Sequence, residues 1–151
     1  THKGIVYAIG GRNSKCMAIR GGGRGDVSDS HKNWEINVGA NVCSPVIHEG
    51  HLYWVSDRNR SAYCVNMETG KIVFQRRFPA QPYASAVVSD GKLYVVTRYD
   101  GTYVLTADSD FEELAHNKFA DRGVFNASPA ISNGSLFIRS NSHLYCIAKS
   151  P

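Results

Sequence analysis

Apolar and polar positions in this chain fall into short runs rather than helical stripes. Leu52 to Val55, Ala62 to Asn66, Lys71 to Phe78 and Leu144-Tyr145-Cys146-Ile147 are rich in aromatic and β-branched residues and are bounded by turn formers. Runs of that length and content read as strands. Asp90-Gly91, Asp100-Gly101 and Asn133-Gly134 lie between such runs, and these dipeptides favour tight hairpin turns. Glu112 to His116 is too short for a helix and sits where another strand is due. An all-β chain is predicted.

The runs recur. Ser44-Pro45-Val46-Ile47-His48-Glu49-Gly50-His51-Leu52-Tyr53 returns as Ser85-Ala86-Val87-Val88-Ser89-Asp90-Gly91-Lys92-Leu93-Tyr94 and again as Ser128-Pro129-Ala130-Ile131-Ser132-Asn133-Gly134-Ser135-Leu136-Phe137. Its second half opens the chain as Gly4-Ile5-Val6-Tyr7. A period in the low forties with strand content predicts a β-propeller, one four-stranded antiparallel blade per repeat. The repeats are placed at about 1–41, 42–82, 83–124 and 125–151 of a single domain. Within the second, strands are expected over Val42 to Ile47, Leu52 to Val55, Ala62 to Asn66 and Lys71 to Phe78. Because Gly4 to Arg20 aligns on Gly50 to Asn66, the first blade is expected to start at its second strand. The last is expected to stop after its third, giving about four blades and roughly fourteen strands, with the first and last blades incomplete. Such an array presents apolar end faces and open strand edges, so a second set of blades is expected to complete it: either further chain or another copy.

The turn after the third strand of repeat two carries a recognisable phrase, Val65-Asn66-Met67-Glu68-Thr69-Gly70-Lys71-Ile72-Val73-Phe74. It resembles the tryptophan-docking motif of the pyrroloquinoline-quinone (PQQ) propeller family, with Asn66 where aspartate is usual and Phe74 where tryptophan is usual. In the first repeat Trp34 takes the docking place after a longer turn, Gly21-Gly22-Gly23-Arg24-Gly25-Asp26; the stretch from Ala18-Ile19-Arg20 through Gly25-Asp26-Val27, followed by Trp34, looks like exported bacterial quinoprotein-like proteins of the planctomycete type. The resemblance implies that Trp34, Thr69, Gly70 and Phe74 lock neighbouring blades by stacking, with an indole N–H finding a backbone acceptor where tryptophan is present. It also implies a bacterial periplasmic or other extracytoplasmic location. The chain begins at Thr1 without a basic-then-apolar leader, so that location comes from the resemblance alone.

Composition narrows the function classes. A net charge of +4 is too mild to argue for a nucleic-acid partner, and no apolar run reaches the length of a membrane helix. The four cysteines lie on repeat columns rather than at metal-ligand spacing and read as small core residues. His48 and His51 flank a turn glycine with no third ligand spaced nearby, and Gly21-Gly22-Gly23 lacks the ending of a phosphate loop. No Gly-His opening or Trp-Asp ending recurs, which disfavours a WD-repeat adaptor.

No catalytic, metal-binding or cofactor-binding residue is assigned from the sequence. A PQQ-dependent dehydrogenase of alcohols or sugars would need Ca²⁺ and PQQ, and its relatives often carry an adjacent cysteine pair that this chain lacks. One asymmetry is chemical. Arg12, Arg58, Arg60, Arg98, Arg122 and Arg139 fall on the hairpin tips and connections of one propeller face, whereas Glu49, Glu68, Asp90, Asp108 and Asp110 fall on the other. Clustered guanidinium groups suit carboxylates and sulfate. The sequence therefore reads as a non-catalytic binding scaffold for proteins or anionic ligands, with a fragment of a quinoprotein dehydrogenase as the alternative.

Overall fold

The computed structural model describes residues 1–11 and 14–148. Fourteen strands and no helix occur among them, arranged as four antiparallel sheets. Blade one holds β1 (Ile5–Ile9), β2 (Cys16–Arg20) and β3 (Lys32–Ile36). Blade two holds β4 (Val46–His48), β5 (His51–Ser56), β6 (Ser61–Asn66) and β7 (Ile72–Arg77). Blade three repeats that order with β8 (Val87–Ser89), β9 (Lys92–Val96), β10 (Thr102–Thr106) and β11 (Glu113–Asn117). Blade four holds β12 (Ala130–Ser132), β13 (Ser135–Arg139) and β14 (Leu144–Ile147). This is an incomplete β-propeller, built from strands that meander outward within each blade.

The first turn of each repeat shows why the glycine recurs. His48 pairs with His51 across Glu49-Gly50, so the loop has two residues. Both carry positive φ, 44° and 75°, and the same pair of signs returns at Asp90-Gly91 and Asn133-Gly134. That is the mirror-image hairpin turn whose twist suits the flanking strands, and glycine meets its second position without a steric cost.

The innermost strands are shorter than the sequence suggests. The ladder of blade two begins at Val46, not Val42, because the residues before it bond to the next blade instead. Ser44 donates its backbone N–H to the Ser85 hydroxyl at 2.8 Å, and Ser85 donates its own to the Ser128 hydroxyl at 3.0 Å. The recurring serine is thus a relay from blade to blade.

The main core lies between blades and centres on blade two, where Leu52, Tyr53, Trp54, Val55, Tyr63 and Val65 are fully buried. A smaller cluster of Ala84, Val96, Phe125 and Ile138 joins blades three and four. Strand alternation sends Tyr53 and Phe74 towards blade three, where both rings meet Phe111. Three cysteines, Cys16, Cys43 and Cys64, are buried and free, as core residues should be. Cys146 departs from that reading: it is exposed, because no described blade packs against that face of blade four.

Candidate functional site: the hairpin-tip face

Docking between blades positions the site. The Trp34 indole donates Nε1–H to the Met67 carbonyl at 2.9 Å and lies flat on Gly70, where an added Cβ would stand 2.6 Å from the ring. Gly70 also has φ +70°, so glycine is required there twice over. Asn66 organises the turn, its Oδ1 accepting from Glu68 N, Thr69 N and the Thr69 hydroxyl at 3.1, 3.0 and 3.0 Å. Asn66 thereby makes the turn hydrogen bonds that an aspartate would make. At the next junction the pieces are exchanged. Phe74 holds the docking column and Phe111, at φ 50°, holds the glycine place; the rings meet edge to face with centroids 5.1 Å apart. A smaller ring on one blade is matched by a larger residue on the next.

This frame presents the hairpin tips on one side. Arg98 is the best-defined cation there. Its guanidinium lies 5.2 Å from the Tyr83 ring centroid and 5.4 Å from that of Tyr99, within cation–π range. Nη1 donates to Gln81 Oε1 at 3.2 Å, while Nε is buried without a hydrogen-bond partner. Tyr99 is 65 % exposed. With Arg122, Lys118, Phe119 and Asp121 it lines a depression of about 230 Å³ between the tips of blades three and four.

The other arginines are spread around the same face. Arg58 Nη1 donates to the Ser14 hydroxyl at 2.7 Å, tying the tips of blades one and two. Arg60 Nη1 donates to the Pro79 carbonyl at 2.9 Å. Arg139 borders a separate hollow with Asn126 and Asn141. Arg12 lies outside the described residues. The structure thus places Arg122 in the depression, sets Arg98 behind its Tyr99 wall, and leaves Arg58, Arg60 and Arg139 apart from it.

Carboxylates also occupy this face, each committed to local structure. Asp57 accepts from Asn41 N at 2.8 Å. Asp100 pairs with Lys118 at 2.6 Å and accepts from the Tyr103 hydroxyl at 2.6 Å; the Lys118 contact first, then the tyrosine, holds its carboxyl below the usual range. Asp121 is the most heavily bonded, taking the Ser140 hydroxyl at 2.5 Å, Gly123 N at 2.7 Å and the Tyr145 hydroxyl at 3.0 Å. The Ser140 hydrogen bond leads in holding its carboxyl well below the usual range. Charge is therefore not sorted cleanly by face: Asp57, Asp100 and Asp121 stand among the arginines and brace the hairpins, because tight turns recruit aspartate to accept their backbone and hydroxyl donors.

Ser142, His143 and Asp121 lie together without the geometry of a nucleophilic triad. Ser142 Oγ and Asp121 Oδ2 both approach Nδ1 of His143, at 3.1 and 3.3 Å, whereas a relay needs the serine and the carboxylate on opposite ring nitrogens. Among the described residues, no group of three or more His, Cys, Asp or Glu side chains is placed to share a metal ion. Sequence reading missed Tyr83 and Tyr99. The adjacency of Arg98 and Tyr99 was visible, but Tyr83 sits in a blade connection and reaches Arg98 only through the fold.

These features place the molecule among the PQQ-like propellers. A family model described as "Outer membrane protein assembly factor BamB" matches residues 17–114, well over half the chain, and the chain belongs to that family. BamB from Moraxella catarrhalis superposes with a TM-score of 0.73 at 11% identity, over 95% of this chain and 42% of that protein. The computationally designed Ika4 protein gives 0.77 at 7% identity, over 99% of this chain and 88% of that one. A europium-containing methanol dehydrogenase gives 0.55 at 17% identity, over 62% and 19%. At these identities the likeness is one of fold, and the chain spans less than half of BamB's length. No curated sequence is close enough to count as a relative.

Proposed function

We propose that this chain is a non-catalytic binding scaffold whose hairpin-tip face holds acidic protein segments. One observation carries the reading: Arg98 flanked by the rings of Tyr83 and Tyr99, with the exposed Tyr99 opening onto the depression that Arg122 shares. Tyrosine and arginine are the residues in which binding energy concentrates at protein interfaces. A guanidinium held between rings offers a pre-oriented donor fork to a carboxylate. Membership of a family described by an assembly factor supports a protein partner, and supports work outside the cytoplasm in the same way.

The end blades extend the proposal. Val6 on blade one is 40% exposed, and Leu144 on blade four is 70% exposed. A second set of blades, from another copy or from further chain, is proposed to cover these surfaces.

Titration of a labelled glutamate-rich decapeptide at low and physiological salt tests the tip-face reading. Binding that weakens with salt, and that falls about tenfold or more in Arg98→Ala and Tyr99→Ala, is expected. Unchanged affinity in both variants would remove the tip face from the account. The dehydrogenase alternative has its own signature, a saturable rise in melting temperature on adding PQQ with Ca²⁺.

A further inference from the structure

The two ends of the array correspond to the two halves of one blade junction. Alternation along a strand decides which side chains look forward, towards the next blade, and which look back. In blade two Tyr53 and Phe74 look forward and meet Phe111, and Val55, Ala62 and Cys64 share their sheet face. Leu52, Trp54, Tyr63 and Val65 lie on the opposite face, towards blade one. By the repeat, the forward positions of blade four are Phe137, Arg139, Leu144 and Cys146. The backward positions of blade one are Val6, Ala8, Met17 and Ile19. Among the described residues no blade stands beyond either set.

The internal junctions show how two such sets fit. Arg76 shares a row with Val55 and Ala62 and lies 6.0 Å from the ring centroid of Tyr103 on blade three. It also pairs with Glu113 of that blade. Tyr103 shares its own row with Val95 and His116. The corresponding rows at the ends are Arg139 with Leu144, and Ala8 with Met17 and Glu35. Two residues along, Phe137 with Cys146 corresponds to Tyr53 with Cys64, and Val6 with Ile19 to Leu93 with Leu105. Laid together as the internal blades are, the ends set apolar side chains on apolar ones. They also bring Arg139 towards Glu35, which Lys15 already holds at that edge, so an arginine again meets a glutamate.

This match selects the occupant. Ends that met within one chain would bury Leu144, which is 70% exposed. Another copy, by contrast, offers each end the columns that it faces, and a chain that covers 42% of the BamB fold needs about one more copy to amount to most of such an array. We infer that a second copy of this chain docks head to tail, blade four of each on blade one of the other, so that two identical junctions close a ring. The inference rests on the proposal that the end blades are covered, and commits it to one partner.

Light scattering of the full chain and of Val6→Glu and Leu144→Glu variants tests the docking. Both positions are exposed, so neither charge disturbs the packing within one chain. The wild type is expected at twice 16.6 kDa. Each variant alone is expected as a monomer, its self-association weakened at least tenfold by a charge placed in an apolar junction. An equimolar mixture of the two is expected to recover a dimer, because blade four of the Val6→Glu chain and blade one of the Leu144→Glu chain still form one unaltered junction. A dimer that survives in either variant alone would overturn head-to-tail docking without removing the coverage of the end blades. A mixture that stays monomeric would overturn it as well. A monomeric wild type would remove both the docking and coverage by another copy, and would leave the tip-face reading to its own peptide titration. If one variant does not fold, the other decides, and an unchanged dimer in it would overturn the inference.

Discussion

At the scale of single residues, identity at a repeat column matters less than what the neighbouring blade places against it. Gly70 and Phe111 occupy corresponding turn places with φ of 70° and 50°, yet one lies under an indole and the other fills the space that a phenyl leaves. Gly70→Ala should therefore cost about 1–3 kcal/mol, through a positive φ and a Cβ inside the Trp34 ring. Denaturant unfolding checks this, and Trp34→Phe is expected to lose about 1 kcal/mol with the Met67 hydrogen bond. The glycine turns and Trp34 were legible because local backbone needs and aromatic placement leave marks in sequence. Phe111 was not, since its role depends on two columns meeting across a junction. The cysteines teach the same lesson. Burial pushes the Cys16 and Cys43 thiols up to about 12 and Cys64 to about 11, while Cys146 is exposed. One thiol of the four is expected to react with a disulfide reagent in the native state at pH 8.

At the scale of elements, the repeated phrase serves the connections as much as the strands. Its serine hands a hydrogen bond from blade to blade, which shortens the inner strand and explains why Val42 to Pro45 does not join the ladder. Ser85→Ala removes the acceptor for Ser44 N and should lower stability by about 1 kcal/mol, measured by thermal or denaturant melting. The β13–β14 hairpin depends on a different group. Asp121 gathers the Ser140 and Tyr145 hydroxyls and Gly123 N, so its carboxyl is depressed in the folded state. A depressed carboxylate stabilises the fold above its unfolded value near 4, and that contribution fades as pH falls through the lowered native value. Asp121→Asn is accordingly expected to melt lower at pH 7 and to lose less stability than wild type between about pH 4 and 2. Melting curves across that range decide it. Strand positions were readable from alternation and turn chemistry; the brace at Asp121 was not, because its partners come from a connection and a hairpin distant in sequence.

At the scale of the molecule, the period of the sequence carried the fold class, and a match over residues 17–114 places the chain in its family. The candidate site was only half legible. Arginines could be assigned to a face by counting turns, but the setting of Arg98 between two tyrosines and the local ties of Arg58 and Arg60 arise from three-dimensional neighbours. The central claim is of a binding array whose end blades are meant to be covered. Exposed Leu144 and Cys146 at one end, and Val6 at the other, are surfaces that association would bury. The most direct test is the mass of the purified chain in solution by size exclusion with light scattering. The account predicts a species of at least twice the 16.6 kDa of one chain. A stable, cooperatively melting monomer of 16.6 kDa across the micromolar range would contradict it.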